Sequence, residues 1–533
     1  MAGTSPTTLD PADWSSLRQS AHALLDASFD KMEAASEGRV WNPVPEDLKA
    51  SLDAPLPVEG TSADAVCDSL RALLPYGVGN THPRFFGWVH GAGNPGGVLP
   101  ELVASAMNAN CGGRDHAAIY VEKQVLRWCR SMMGFPSECG ALLVSGTSMA
   151  TIVALKAARD KALGFTESRR TGLLDAQQAK GRLVGYAADG THSCVQQAFD
   201  VLGLGTEALR KVPVTDSFTM DVAKLVEMVE ADRAAGLRPF VVVGTAGSVN
   251  VGAIDDLASL ADAAAAQGLW FHVDGAFGAT AVLSDEVRPR LEGMARADSL
   301  AFDFHKWLYD SRAHTSNPRL DVRSGCGCVT PRCDSRLRRH VNYDCGCVLV
   351  RDHDAHLRSF SERPDYLTPK QRGLAAHNPW PTDYGVELSR GFRALKVYAH
   401  LLEHGTAKLG RAITANLAHA QHLAALIDQA GPTLQRLAPT TLQIVVFRYV
   451  PEGLPLSEEE LDALNDELVI ELQERGIAAP STTRIKGKLA IRVNLTNHRT
   501  RFPDLELLID AVKRIGAELA TIARGQAQTE RTA

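Results

Sequence analysis

LWFHVDGAFGA at residues 269–279 and SLAFDFHKWLY at residues 299–309 decide the fold. Each opens on a short, β-rich apolar run and closes on reactive side chains: Asp274 in the first, His305 and Lys306 in the second. Working outward, the runs 182–187 and 240–244 read as further strands, and Ala- and Leu-rich segments of helical period begin near Ser148, Ser193, Asp221 and Asp255. Strands alternating with helices over about 115–305 predict an α/β fold with a wound sheet. Function then sits at strand ends, where Asp274 and Lys306 converge on one ligand.

The residue types fit one chemistry. A lysine at a buried strand end is desolvated, which favours the neutral amine that Schiff-base formation needs. An ionised Asp274 beside a ring nitrogen would hold that nitrogen protonated and make the ring an electron sink. Taken singly, Asp274 is as well read as a turn cap and Lys306 as a surface lysine whose stem lies on apolar surface. Two further segments change the balance. LLVSGTSMATIVALKAAR (142–159) is a strand, a small-residue turn and a helix, so amides near Thr147 and Ser148 face an anion at the helix start, or either side chain caps the helix. Asp189-Gly190-Thr191-His192-Ser193 puts an imidazole at another strand end, placed to stack on a planar ligand or to serve as a cap.

Composition narrows the classes. The chain of 533 residues is 45% apolar, enough for two or three domains with at least one large core. Its 56 basic and 62 acidic residues are intermixed, giving a net charge of -6 that argues against a nucleic-acid partner. The N-terminus lacks a basic start followed by an apolar run, and no apolar stretch is long enough to cross a bilayer. The expectation is a soluble cytoplasmic protein without a membrane partner. Cys67, Cys111, Cys129, Cys139 and Cys194 are scattered singly, as reduced core thiols are. Residues 1–80 read as a helical arm and dimerisation segment with Pro-rich breaks, 81–395 as the large domain, 396–524 as a small C-terminal α/β domain with strands at 443–447 and 489–493, and 525–533 as a disordered polar tail. A long helix over 388–409 would hinge the two domains.

In chain order, THPRFFGW, SGTSMAT, THSCVQQA, GTAGSVNVGAIDDL, HVDGAFGA and DFHKWLY resemble the group II pyridoxal-phosphate decarboxylases, the family of the aromatic L-amino-acid, glutamate and cysteine-sulfinate decarboxylases. The resemblance spans about 75–500. It implies the fold type I, aspartate aminotransferase-like architecture, a homodimer, and pyridoxal 5'-phosphate as cofactor. Carried over to this chain, Lys306 would hold the cofactor covalently, Asp274 would pair with its ring nitrogen and His192 would stack on the ring. Thr147, Ser148, Asp303 and His305 would surround the phosphate, and Thr245 and Ala276 would line the ring. The chain departs from the aromatic decarboxylases in having Asp303 where they often carry asparagine. Arg363-Pro364-Asp365-Tyr366-Leu367 resembles the family's mobile catalytic loop, making Tyr366 the proton donor.

The expected reaction is decarboxylation of an L-amino acid to the amine and carbon dioxide. An aldehyde synthase, an aminotransferase or a non-catalytic homologue are the alternatives. Phe86, Trp88 and Val89 in FFGWVH would wall the substrate pocket and favour an aromatic substrate. Asn110, Arg114 and His116 would equally suit a polar or acidic one.

Residues 310–340 resemble nothing in the family: seven arginines, three aspartates and three cysteines without apolar period. Removing them leaves HKWLYVNYDCGCVLVRD, which runs on as the family's next strand, so the segment reads as an insertion: a translated intron or other gene-model artefact first, a disordered regulatory loop second. A metal site using Cys326, Cys328 and Cys333 with Cys345 or Cys347 lacks the spacing of common zinc modules, and no metal is expected.

Overall fold

Seven strands form the sheet that carries the site: β1 (Gly140–Val144), β2 (Leu183–Ala188), β3 (Leu209–Val212), β4 (Arg238–Thr245), β5 (Trp270–Asp274), β6 (Ser299–Asp303) and β7 (Gly346–Val350). The computed structural model describes residues 8–307, 341–361 and 370–532. The strand order is β1-β7-β6-β5-β4-β2-β3. β3, β2, β4, β5 and β6 run parallel, whereas β7 lies antiparallel to both β6 and β1. Every residue of β1, β2, β5, β6 and β7 is buried, because helices cover both faces of the sheet.

Local sequence sets the boundaries. Asp221 caps the helix Val222–Ala234 by accepting from the Lys224 amide, and Asp256 caps Leu257–Gln267 through the Ser259 amide. Asp255, where that helix was expected to begin, is instead buried and accepts from the amides of Thr245 and Met220 at 2.8 and 2.7 Å. It braces the end of β4. Burial pushes its carboxyl up to about 6 against those two hydrogen bonds.

The smaller sheet is antiparallel, in the order β10-β11-β9-β8, with β8 (Leu434–Arg436), β9 (Ile444–Tyr449), β10 (Ser481–Ile485) and β11 (Lys488–Asn494). Its core is filled by Phe447, Leu468, Leu472, Ile491, Leu508 and Val512. The connecting helix runs Ala394–Gln429, broken at Gly405, whose φ of 65° is left-handed. It starts later and extends much further than the expected 388–409. The final helix, Phe502–Thr532, continues through the expected disordered tail.

The N-terminal segment is helical at Trp14–Glu33, Glu46–Leu52 and Ala63–Leu73. The first two helices bury no residue. The arm is pinned where Val40 packs with Phe85 and Ala479 and donates its amide to the Gly476 carbonyl at 3.1 Å. Among the described residues, no helix is long and apolar enough to cross a membrane.

Candidate active site

β1 leads into the helix Thr147–Leu163, whose N-cap, Gly146, provides no side chain to bind the first-turn amides. The Thr147 amide donates to Asp303 Oδ1 at 2.7 Å. Its hydroxyl is buried and has no hydrogen-bond partner among the described residues. A helix start without a side-chain cap, beside an orphaned hydroxyl, is suited to an anion.

β6 ends at Asp303, and the single turn Phe304–Trp307 that follows carries His305 and Lys306. Lys306 therefore sits one turn beyond the strand rather than on its last residue. Its Nζ donates to Asp303 Oδ2 at 2.9 Å. His305 Nδ1 accepts from the Cys345 amide at 3.1 Å, and its Nε2 lies 3.7 Å from the same Asp303 oxygen. Gly346 lets β7 pass through this crowd. A Cβ there would come within 2.7 Å of both Asp303 Oδ1 and the Gly146 Cα.

Asp274 closes β5, paired in register with Thr245 of β4 and Ala301 of β6. Its Oδ1 accepts from the Ala276 amide at 3.1 Å, and Cys194 Sγ lies 3.9 Å from Oδ2. The Ala276 carbonyl accepts from the Asp303 amide at 3.0 Å, which ties the two strand ends together. His192 caps the helix Ser193–Val201, its Nδ1 accepting from the Cys194 amide at 3.1 Å, and still presents its ring to the site.

Thr147, Ser148, His192, Ala276, Asp303, His305 and Lys306 line one cavity of about 360 Å³, joined by Cys194, Tyr343 and Asp344. Cys194 was expected only as a core thiol, and Tyr343 and Asp344 had no expected role at the site. Cys194 lies on the first turn after His192, and Tyr343 just before β7. Asp274 and Thr245 stand behind the lining, 3% and 7% exposed.

Electrostatics correct one expectation. Burial alone would drive the Lys306 amine toward neutrality, but the carboxylates of Asp303 and then Asp274 override it and hold the pKa above the ordinary lysine value. The free lysine is an ammonium ion paired with Asp303, not a desolvated neutral amine. Burial pushes the Asp274 carboxyl up, opposed by the Lys306 charge and the Ala276 amide. Burial also lowers His192 and His305, each opposed by a nearby aspartate, Asp274 and Asp303 respectively, so both imidazoles are neutral near pH 7.

The expected substrate-pocket residues separate. Phe86 is fully buried in the core of the small domain, and Val89 packs into that of the large one, so neither faces the cavity. Trp88 alone is exposed, with its ring 5.6 Å from that of His90. Asn110 accepts from the amides of Gly112 and Arg390, His116 approaches the carbonyls of Asn110 and Gly113, and Arg114 lies over Trp380. Asn110 and His116 brace the backbone, and Arg114 packs on an aromatic ring. Tyr366 and residues 310–340, with Cys326, Cys328 and Cys333, lie outside the described residues; Cys345 and Cys347 are buried in the core.

An amine within reach of an anion site, with a buried aspartate on the next strand end, is the arrangement that pyridoxal-phosphate enzymes of fold type I need. The residues fit that cofactor: the Thr147 hydroxyl lacks a partner and the Asp274 carboxylate is secluded. The family model described as the pyridoxal-dependent decarboxylase conserved domain matches residues 45–312 and 338–450. The chain is 30% identical to an aromatic-L-amino-acid decarboxylase of Bacillus atrophaeus over 95% of its own length and 96% of that protein. It is 28% identical to a phenylacetaldehyde synthase of Arabidopsis thaliana, covering 92% and 94%. The solved structure of Oryza sativa TDC with PLP and tryptamine superimposes with a TM-score of 0.81 at 26% identity, covering 96% of this chain and all of that one. The chain belongs to the pyridoxal-dependent decarboxylase family. It is a pyridoxal-phosphate-dependent carboxy-lyase acting on an amino acid.

Proposed function

We propose that this enzyme decarboxylates an aromatic L-amino acid, with Lys306 as the cofactor-bearing residue. The observation that carries the assignment of roles is the convergence of Lys306, Asp303 and the unpartnered Thr147 hydroxyl on one cavity backed by Asp274. Bound pyridoxal phosphate supplies an electron sink for the bond that breaks to the carboxylate. The chain's own residues arrange the rest. Asp274 would hold a proton on the cofactor's ring nitrogen, and His192, neutral and fixed by the Cys194 amide, would pack against the ring. Thr147 and Ser148 would hold the phosphate at the helix start with His305 nearby, and Ala276 and Thr245 would border the ring. Asp303 orients Lys306 and balances its ammonium charge. Tyr366 returns a proton to the substrate Cα.

The aromatic preference rests on relatives named for aromatic substrates and on the rings of Phe85, Trp88, His90 and Tyr343 beside the lysine turn. The homodimer reading is supported by apolar side chains left exposed on the arm and on the helix Pro95–Met107, among them Trp14, Leu99, Leu102 and Val103. The cytoplasm is the proposed location. The four-part division at 80, 395 and 524 is retained except that the last helix extends through the tail. The family match leaves 313–337 uncovered, which supports reading 310–340 as an insertion.

Borohydride reduction followed by peptide mapping tests the lysine: a pyridoxyl group on Lys306 is expected, and its absence would favour a non-catalytic homologue. A screen of aromatic, acidic and basic L-amino acids should release carbon dioxide and amine from the aromatic set. Aldehyde with hydrogen peroxide would instead identify an aldehyde synthase, the activity named for the Arabidopsis relative.

A further inference from the structure

The strip Trp88–Gly91 is held rigidly against the lysine turn. Buried Arg492 donates to the Trp88 carbonyl at 2.8 Å, and the Thr496 hydroxyl donates to the His90 carbonyl at 3.0 Å. Gly91 lies directly on that turn, since a Cβ on it would meet the His305 carbonyl oxygen at 2.0 Å. With its backbone so fixed, the His90 ring stacks on Phe85 and Trp88 at centroid distances of 5.8 and 5.6 Å and meets the Tyr343 ring edge-on at 6.0 Å. Tyr343 in turn lies 4.3 Å from the His305 ring and lines the cavity. The cluster is aromatic yet polar at its edges: Tyr343, which lines the cavity, offers a hydroxyl, and His90 beside it offers two ring nitrogens, next to the Trp88 indole N–H and the His305 imidazole.

The polar groups complement each other. The Tyr343 oxygen accepts from the Gly91 amide, and although the residue as a whole is 48% exposed, desolvation at its inner end raises the phenol, so it keeps its proton. Burial and then the Lys306 charge lower His90, leaving a neutral ring with one acceptor and one donor nitrogen. No hydrogen bond to either nitrogen is formed among the described residues. A ring hydroxyl both donates and accepts, so it can satisfy the two groups together; a bare phenyl ring strips water from them and returns nothing.

We propose that His90 and Tyr343 are specificity-determining residues that read a hydroxyl on the substrate's aromatic ring, so that L-tyrosine is selected over L-phenylalanine. This rests on the aromatic decarboxylase reading above. A site built to hydrogen-bond a hydroxyl discriminates by about tenfold to hundredfold for each such contact.

The test is kcat/KM for both amino acids with the holoenzyme, Tyr343→Phe and His90→Phe, alongside inhibition constants for tyramine and phenethylamine. Both variants keep the ring and lose the hydrogen bond. The tyrosine to phenylalanine ratio should be at least about tenfold in the unaltered enzyme and fall about five- to tenfold in each variant, chiefly through KM, with tyramine losing its advantage in parallel. Cofactor absorbance of each variant reports whether its site assembles, and if one does not, the other, on a separate segment, carries the comparison. Aromatic turnover with a ratio near one, or a ratio unmoved in the variants, would overturn the inference while leaving the aromatic reading intact. Turnover of acidic substrates alone would overturn both.

Discussion

Asp303→Asn isolates the pair at the centre of the site. The substitution keeps shape and still offers Oδ1 to the Thr147 amide, but removes the negative charge 2.9 Å from Lys306 Nζ. Breaking a buried pair by neutralising one partner costs about 3–5 kcal/mol, because the other charge is left uncompensated. The Asp303 side chain is 2% exposed and that of Lys306 21%, so solvent relieves part of the loss and the lower end, about 3 kcal/mol, applies. Lys306 can escape by losing its proton, at about 1.4 kcal/mol per pH unit below its ordinary value, which sets a ceiling of about 5 kcal/mol at neutral pH. Unfolding entropy of about 2 cal/mol/K per residue, summed over the chain, converts about 3 kcal/mol into about 3 °C.

The assay is the thermal transition of the cofactor-free protein, compared at one scan rate for the unaltered enzyme, Asp303→Asn, Lys306→Met and the double variant. The double variant should recover most of the loss, since it removes both charges. The pH dependence has a defined sign. In the unaltered protein the Lys306 pKa is raised, so its contribution is fully present below the unfolded-state value and is lost as pH rises through the folded value. In Asp303→Asn the attraction opposing burial is reduced to that of Asp274, so the Lys306 pKa falls and the deficit should shrink as pH rises toward about 10. A single variant within about 1 °C of the parent, or a double variant no better than the single, would refute the argument.

Three further outcomes are expected. Thr147→Val should weaken cofactor binding about tenfold or more, read by absorbance titration of the cofactor-free protein, because it deletes a hydroxyl available to a charged phosphate. Burial lowers the His356 pKa to about 4, so its stabilising contribution is present above about pH 6.5 and disappears progressively as pH falls toward 4; His356→Gln should lessen acid destabilisation in that window by up to about 3 kcal/mol, measured by urea unfolding as a function of pH. Deleting 310–340 should give a protein with cofactor loading and turnover above those of the full chain, and equality in both would end the reading that the shorter form is the competent enzyme.

The chemistry was more legible in the sequence than its packing. Asp274, Asp303, His305 and Lys306 lie at strand ends or immediately after them, where alternation of apolar runs and helices is enough to bring them together. Thr147 and His192 open helices, which their small-residue and Asp-Gly-Thr-His contexts announce. What could not be read depends on partners distant in the chain. The ammonium state of Lys306 requires the geometry of Asp303 as well as burial, and the interior position of Phe86 requires β9 and β11 of the small domain. Tyr343 was hidden for another reason: the strand after it could be read, but its ring reaches the cavity by packing 4.3 Å from His305, a contact across the chain that no local pattern announces. The helical tail shows that polar composition does not preclude a continuing helix.

β7 has a consequence for synthesis. It lies between β1 and β6, yet the Thr147 amide reaches past it to Asp303, so the lysine turn and the helix start become neighbours only once Gly346–Val350 has slotted between them. On a ribosome, nearly two thirds of the chain must emerge before the cofactor pocket can close, and the nascent protein carries a sheet with a missing slat. Stretching the β6–β7 connection from about eleven to about forty residues adds only about 1 kcal/mol of closure entropy. A long tether there is thermodynamically tolerable, and its penalty falls instead on the time for which the unfinished sheet waits with two open edges.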